Sequence, residues 1–173
     1  IEETLVIKEP AEAQTKIQEI LEATKNEVIL ISSSAGINKI SDNDPYQKYA
    51  DKGVKIRIMA PIDLDNLEAA QKLAKLYEVK HVSISYLTMI IADSRHLFMF
   101  KTPLLQEEST EPQFPFYLRN TFYTNDQKYV ERATELLMDS WKRGALVSEI
   151  DSGGPLGTPI VEVQGSKAII EVV

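Results

Sequence analysis

The chain has 173 residues, no cysteine and a formal net charge of −7 at pH 7. The absence of cysteine excludes disulfides, thiolate metal sites and cysteine nucleophiles, and it is compatible with a reducing cytoplasm. The acidic balance argues against a nucleic-acid surface, because neutralising phosphates requires an excess of lysine and arginine. We therefore expect no direct nucleic-acid contact. We also expect a cytoplasmic protein without membrane insertion, since no apolar run approaches the roughly 20 residues of a membrane span.

Predicted strands and helices alternate along the first half of the chain. Pro10 fits the first turn of a helix that should end near Asn26, and further amphipathic helices are predicted between the later strands. This alternation is typical of βαβ units, which build a mostly parallel sheet with right-handed crossovers. The predicted strands of this half are residues 1–8, 28–31, 54–59 and 79–85.

The second half begins with two apolar strands, residues 86–92 and 95–100, which a tight turn joins into an antiparallel pair. Their apolar runs are too continuous for strands with one wet face, so we expect both faces to be covered. Another strand is predicted at residues 116–123. Thr124 then resembles the first residue of a capping box, which predicts a helix from there to about Arg143.

Residues 151–159 (DSGGPLGTP) give the clearest linker signal in the chain, and the pattern after them predicts a β-hairpin centred on residues 164–167. We predict an α/β domain at residues 1–150, built on a mixed, mainly parallel sheet flanked by helices. A linker and a C-terminal β-hairpin should occupy residues 151–173. The first residue is Ile rather than Met, which fits an excised part of a longer protein.

Three serines, Ser32, Ser33 and Ser34, follow the buried strand VILI. Ligands of open α/β sheets bind outside the carboxyl ends of such strands. The three hydroxyls could therefore hydrogen-bond a small polar ligand, or they could belong to an ordinary loop between a strand and a helix. Gly36 alone is too little glycine for a phosphate loop or a G-x-S-x-G nucleophile elbow, so serine hydrolysis is not expected.

Arg57 lies on the predicted strand VKIRIM. It could pair with Asp93, hold an anionic ligand through two hydrogen bonds, or point to solvent from an edge strand. His81 and His96 are the only histidines, and they lack the spacing of a metal site. We expect one surface histidine and one hydrogen-bonded histidine, and neither a metal nor a cofactor.

A catalytic motif would have to end at Asp93. Enzymes of the phospholipase D type use His-x-Lys-x-x-x-x-Asp, in which the His attacks phosphorus and the Lys neutralises phosphate charge. The same frame here contains Tyr86, Thr88 and Asp93, so only the Asp is retained. We therefore predict no catalytic residue and no enzyme, with Tyr86 and Thr88 as candidates for the floor of a ligand pocket or for plain core positions.

The segments NEVILISSS, KGVKIRIMAP and YLTMIIADSRHLFMF resemble the phospholipase D-like fold over roughly residues 9–143. The chain is most similar to non-catalytic versions in archaeal regulators, namely the effector domain of TrmB-like transcription factors and the sensor domain of archaeal histidine kinases. Catalytic members form one site from two such halves, so the resemblance implies a single half and a homodimer.

The resemblance implies a non-catalytic sensory or effector-binding domain of an archaeal signal-transduction or transcription-regulatory protein, with an attached output domain outside this chain. A small-molecule effector would be its ligand. Two alternatives stay open: a diverged phosphodiesterase or nuclease, and a protein-interaction scaffold without a ligand. The candidate ligand-binding residues are Ser32, Ser33, Ser34, Arg57, Tyr86, Thr88 and Asp93.

Overall fold

The computed structural model describes residues 1–84, 87–101 and 117–147, together with the backbone of residues 159–164 and 167–172. The strands are β1 (Thr4–Ile7), β2 (Glu27–Ile31), β3 (Lys55–Ala60), β4 (Glu78–His81), β5 (Met89–Ala92), β6 (His96–Met99), β7 (Thr121–Thr124), β8 (Ala145–Leu146), β9 (Pro159–Gln164) and β10 (Lys167–Val172). The helices are α1 (Pro10–Ala23), α2 (Ser34–Asp42), α3 (Gln47–Ala50), α4 (Leu67–Ala74) and α5 (Gln127–Arg143).

Eight strands form one open sheet in the order β1-β7-β6-β5-β2-β3-β4-β8. The mixed α/β fold with flanking helices is confirmed. The parallel share is smaller than predicted, because in the described sheet only β2–β3 and β3–β4 are parallel pairs. The other five pairs are antiparallel. The reason is local, since strands joined by a tight turn, such as β5 and β6, can only run in opposite directions.

Both faces of the sheet are covered, as the apolar runs predict. Alternate residues of β2 point to opposite layers: Val28 and Leu30 join the core under α1, α2 and α4, whereas Ile29 and Ile31 join the core under α5. All four are at most 1% exposed. Burying such a side chain stabilises the fold by about 1.5–3 kcal/mol, so this central strand anchors the residues that follow it.

The turn between β5 and β6 forms where the sequence places it. Asp93 and Ser94 have φ angles of 52° and 53°, in the left-handed region, and Arg95 N donates to Ala92 O at 3.0 Å across them to close the turn. The Asp93 carboxylate accepts hydrogen bonds from the backbone N–H groups of Lys25 (2.9 Å), Asn26 (2.8 Å) and Glu27 (3.0 Å). The turn is therefore tied to the loop between α1 and β2.

The predicted capping box at Thr124 is wrong. The cap of α5 is Asp126, whose side chain accepts a hydrogen bond from Lys128 N at 3.1 Å. Thr124 stays in β7, paired with Thr4 of β1, and the two hydroxyl oxygens lie 2.7 Å apart. Sheet pairing has overridden the local capping preference, and the helix begins three residues later.

The strand predicted at residues 79–85 ends at His81. The C-terminal hairpin is present as β9 and β10, which pair antiparallel with Gln164 opposite Lys167. The division of the chain at residue 150 stays a prediction. Within the described residues, no helix combines the length and the apolar composition that crossing a membrane requires.

Candidate functional site

One edge of the sheet collects the carboxyl ends of β2, β3 and β4, because these three strands run parallel. β5 starts at the same edge, since it runs antiparallel to β2 and pairs Met89 with Ile31. The next position on each of these two strands is Ser32 and Thr88, which the register brings side by side. We call this edge, with the loops that follow β2 and β3, the carboxyl edge.

Ser32 and Ser33 shape the first turn of α2. Ser32 is fully buried, and its hydroxyl donates to Ser33 O at 3.0 Å. Ser33 caps the helix, with its Oγ accepting from Gly36 N at 3.1 Å. A Cβ atom at Gly36 would lie only 2.0 Å from Ser32 Oγ. Glycine at this position therefore lets the helix approach the end of β2, and the two hydroxyls serve local structure.

Ser34 belongs to a polar cluster that sequence reasoning missed. Its hydroxyl donates to Asp63 Oδ2 at 2.8 Å, and Asn66 Nδ2 donates to Ser34 O and to Ser34 Oγ, both at 3.0 Å. Asn66 is fully buried, and its Oδ1 accepts from Asp63 N at 2.8 Å. We call these three residues the Ser34–Asp63–Asn66 cluster. It joins the loops after β2 and β3, which lie far apart in sequence.

A sequence signal for the cluster did exist. Pro61 ends β3, and Asp63 then starts the approach to α4 by accepting from the N–H groups of Asp65 (2.9 Å) and Asn66 (3.2 Å). Aspartate in this role is common where a turn precedes a helix. The pattern of Pro61 followed by Asp63 predicts the turn, but it does not predict the hydrogen bonds to Ser34.

Thr88 lies at the carboxyl edge and is 9% exposed, and its carbonyl accepts from Phe100 N at 2.9 Å. Tyr86, the other member of the degenerate catalytic frame, lies outside the described residues. Thr88 is therefore a largely buried, neutral side chain that carries no charge to offer a phosphate.

His81 is the last residue of β4, so it also lies at the carboxyl edge, where it is 4% exposed. Its Nδ1 accepts a hydrogen bond from Ile62 N at 2.9 Å, which places the proton of the neutral ring on Nε2. His96 lies at the opposite end of the sheet, with its Nδ1 2.8 Å from the Tyr123 hydroxyl. The prediction of one surface histidine is wrong, because both rings are hydrogen-bonded and at least partly buried.

Arg57 belongs neither to the carboxyl edge nor to Asp93. Its guanidinium donates to Glu78 at 3.2 Å, lies 3.8 Å from a carboxylate oxygen of Glu27, and is centred 5.5 Å from the ring of Trp141. These partners lie near the start of β3 and under α5. Pairing with Asp93 was one of the three possibilities left open for Arg57, and the structure shows instead a network with Glu78, Glu27 and Trp141 that holds α5 on the sheet.

Asp93 lies at the end of β5 remote from the carboxyl edge. Burial alone would raise the pKa of its carboxyl group, but the backbone N–H groups of Lys25, Glu27 and Asn26, and the charge of Arg95, lower that pKa below its ordinary value. A carboxylate held in this way stabilises the turn. The six predicted residues that the structure describes are thus spread over three places, and those at the carboxyl edge are Ser32, Ser33, Ser34 and Thr88.

The carboxyl edge offers hydroxyl, amide and carboxylate groups for hydrogen bonding. In the ranges 1–84, 87–101 and 117–147, no group of three or more histidine, aspartate or glutamate side chains is placed to hold a metal ion.

The sequence comparison assigns the family. A family model described as the N-terminal subdomain of the EBD of the transcriptional regulator TrmB matches residues 3–148. The chain belongs to this family. No curated protein matches the sequence. The predicted resemblance to TrmB-like regulators is therefore confirmed.

Solved structures confirm the phospholipase D-like fold. TrmBL2, described as an archaeal chromatin protein with a novel mode of DNA binding, matches with a TM-score of 0.59, 20% identity, and coverage of 83% of this chain and 53% of that chain. NucT from Helicobacter pylori matches with a TM-score of 0.60 and 13% identity, covering 83% of this chain and 97% of that chain. The phospholipase D family member Nuc from Salmonella typhimurium matches with a TM-score of 0.63 and 16% identity, covering 84% of this chain and 98% of that chain.

These likenesses concern the fold, and the chain spans only about half the length of TrmBL2. They also correct one prediction. We expected no direct contact with nucleic acid from the net charge of −7, but a protein of the same fold, TrmBL2, is a DNA-binding chromatin protein. Net charge sums the whole surface and says nothing about how charges are distributed over its faces, so it does not support that exclusion.

Proposed function

We propose that this chain is a non-catalytic, effector-binding domain of a cytoplasmic transcription regulator, and that its ligand is a small polar molecule. Membership of the TrmB family supports a role in transcription regulation. Family membership does not extend to a sensory role, which is our own proposal. The observation that carries this proposal is the carboxyl edge, where the loops after two parallel strands present hydroxyl, amide and carboxylate groups beside each other.

We place the ligand site at Ser34 and Thr88, beside the first turn of α2 that Ser32 and Ser33 shape, and Tyr86 stays a candidate from the sequence alone. Open α/β sheets bind ligands outside the carboxyl ends of their strands. The Ser34–Asp63–Asn66 cluster supports this position, because its hydrogen bonds fix one wall of the site before any ligand arrives. Less conformational entropy is then lost on binding.

The regulatory mechanism we propose follows from the same cluster. A ligand that bonds to both Ser34 and Asp63 would favour the state in which the hydrogen bonds of the cluster join the loops after β2 and β3. A ligand shifts a conformational equilibrium only by its difference in affinity for the two states. A change in the spacing of α2 and α4 would be the structural signal passed to an output domain or to a second copy in a homodimer.

Thermal-shift screening of the chain against small polar metabolites tests this proposal, since a ligand of the native state must raise the unfolding temperature. We expect at least one compound to do so, and we expect Ser34→Ala and Thr88→Val to reduce the shift. Lys142→Gln, on the exposed end of α5, is the control and should leave the shift unchanged. A screen without any stabilising ligand supports the scaffold alternative instead.

The enzyme alternative has its own test. A diverged phosphodiesterase would need a nucleophile at the position of Tyr86, so cleavage of a generic phosphodiester should be compared between the wild type and Tyr86→Phe. We expect no cleavage by either protein. Turnover by the wild type that Tyr86→Phe abolishes contradicts the non-catalytic proposal.

Direct DNA contact is a second candidate function, favoured by the shared fold with TrmBL2. Fluorescence anisotropy of a labelled duplex at about 50 and 200 mM salt measures it, because each phosphate contact adds to the salt dependence of binding. Binding that weakens steeply with salt supports DNA contact. A flat anisotropy at both salt concentrations leaves effector binding as the function to pursue.

A further inference from the structure

A second cleft lies at the end of the sheet opposite the carboxyl edge. It has a volume of about 540 Å³, which is within the range of small-molecule sites. One wall is the last turn of α1 with the residues after it, and the other is the turn between β5 and β6. The residues of these walls that bear on binding are Ile20, Lys25, Asn26, Asp93, Arg95 and His96.

The wall formed by the turn is rigid. Three backbone N–H groups of residues 25–27 hold the Asp93 carboxylate, so this negative charge is already satisfied within the protein. The same bonds fix Arg95 and His96, which follow directly in the turn and at the start of β6. Asp93 therefore builds the cleft without being available to neutralise a ligand cation.

Positive charge converges on the cleft. Lys25 and Arg95 line it from opposite walls, and neither makes an ion pair with any carboxylate in the described part of the chain. Lys16 lies nearby on α1, one turn before Ile20, with its ammonium 4.5 Å from the ring centroid of Tyr123 and 3.0 Å from Glu3. Lys25 and Arg95 outnumber the Asp93 carboxylate that lines the same cleft, so its described charged groups sum to a net positive charge, which is suited to an anion.

His96 lines the same cleft between these charges. Its Nδ1 is engaged with the Tyr123 hydroxyl, which leaves Nε2 as the ring atom for a ligand. Burial first, and then the positive charges of Lys16 and Arg95, lower the pKa of His96 below its ordinary value, while Asp93 acts in the opposite direction. An anion near Nε2 would reverse that balance by stabilising the charged ring.

We propose that this cleft is a binding site for a small molecule carrying a phosphate or carboxylate group, held by Lys25, Arg95 and His96. It is distinct from the proposed effector site at the carboxyl edge. The two histidines of the chain lie one at each end of the sheet, so each reports on one site independently of the other.

The experiment is an NMR titration of the two imidazole rings against pH, in inorganic phosphate, in citrate and in sodium chloride of matched ionic strength. We expect phosphate or citrate to raise the titration midpoint of His96 by roughly 1 pH unit relative to chloride. His81 should keep its chemical shifts in every salt. A response to phosphate alone assigns a phosphate ligand, and a response to citrate alone assigns a carboxylate.

Lys25→Gln and Arg95→Gln remove the cations from exposed positions while leaving the backbone bonds to Asp93 in place. Each should abolish the anion-dependent shift, whereas Lys142→Gln should keep it. The same His96 midpoint in all three salts overturns the proposal, as does an anion effect that survives both cleft variants. A metabolite that stabilises the protein equally in wild type and Arg95→Gln belongs to the carboxyl edge, so the two proposals fail separately.

Discussion

Replacing Gly36 with Ala should destabilise the protein, although alanine is ordinarily the better residue in a helix. Gly36 lies in the first turn of α2, where alanine would gain up to about 1 kcal/mol from helix propensity. The new Cβ would lie 2.0 Å from Ser32 Oγ and 3.2 Å from Ser33 Oγ. Ser32 is fully buried, so its hydroxyl has no room to move outward without shifting the helix.

The magnitude follows from these contacts. Overpacking a buried site costs about 1–3 kcal/mol, and rotating Ser32 away from Ser33 O gives up a hydrogen bond worth about 0.5–1.5 kcal/mol. Subtracting the propensity gain of about 1 kcal/mol leaves a net loss of roughly 0.5–3.5 kcal/mol for Gly36→Ala. Ser32→Ala alone should cost about 1 kcal/mol through the same hydrogen bond.

A double-mutant cycle isolates the clash, because Ser32→Ala removes the oxygen that the methyl group introduced by Gly36→Ala would strike. In urea unfolding at 25 °C, the double variant should be more stable than Gly36→Ala alone. Gly53→Ala is the matched control: its φ of 97° predicts strain, but no atom lies within 4 Å of the new Cβ, so Ser32→Ala should not rescue it. A Gly36→Ala protein as stable as the wild type refutes the reasoning.

Two further predictions concern the opposite ends of the sheet. Asp93→Asn should lower the free energy of unfolding by roughly 2–4 kcal/mol at pH 7, since hydrogen bonds to a charged group are lost. Because the folded-state pKa is lowered, the stabilisation is complete above the unfolded value of about 3.9 and is lost as pH falls through the folded value. Urea unfolding curves should therefore show a smaller difference in the free energy of unfolding between wild type and Asp93→Asn at pH 3 than at pH 7. The same difference at both pH values contradicts this prediction. Asn66→Ala removes a fully buried amide that bonds to Ser34, Asp63 and Pro61, so thermal unfolding should show a loss of roughly 2–4 kcal/mol, against about 1 kcal/mol or less for Asn38→Ala, whose amide makes one solvent-exposed hydrogen bond to Asp65 O.

Local patterns in the sequence were enough to predict most elements of the fold. The run VILI predicts a strand that is buried on both sides, and Val28 to Ile31 are buried in two separate cores. The turn at Asp93 and the helix that ends at Arg143 were predicted for the same reason, because turn chemistry and helical periodicity act over a few residues.

The order of the strands was beyond such patterns. β1 is the first strand in the chain, yet it is an outermost strand of the sheet and pairs with β7, so that Thr4 lies opposite Thr124. The prediction of a mainly parallel sheet assumed that consecutive strands pair through helical crossovers. Residues that meet across 120 positions leave no periodic trace in a single sequence, and the same holds for Ser34 with Asp63 and for Arg57 with Trp141.

The candidate site shows how a strand converts spacing in sequence into distance. Thr88 and Asp93 are five residues apart, and an extended chain advances about 3.3 Å per residue, so the two lie roughly 16 Å apart at opposite ends of β5. Asp93 therefore does not touch the carboxyl edge. Its three backbone hydrogen bonds account for its presence without any reaction. The stability of a turn thus explains the presence of Asp93, and the chemistry of the carboxyl edge has to be judged from Thr88 and the Ser34–Asp63–Asn66 cluster.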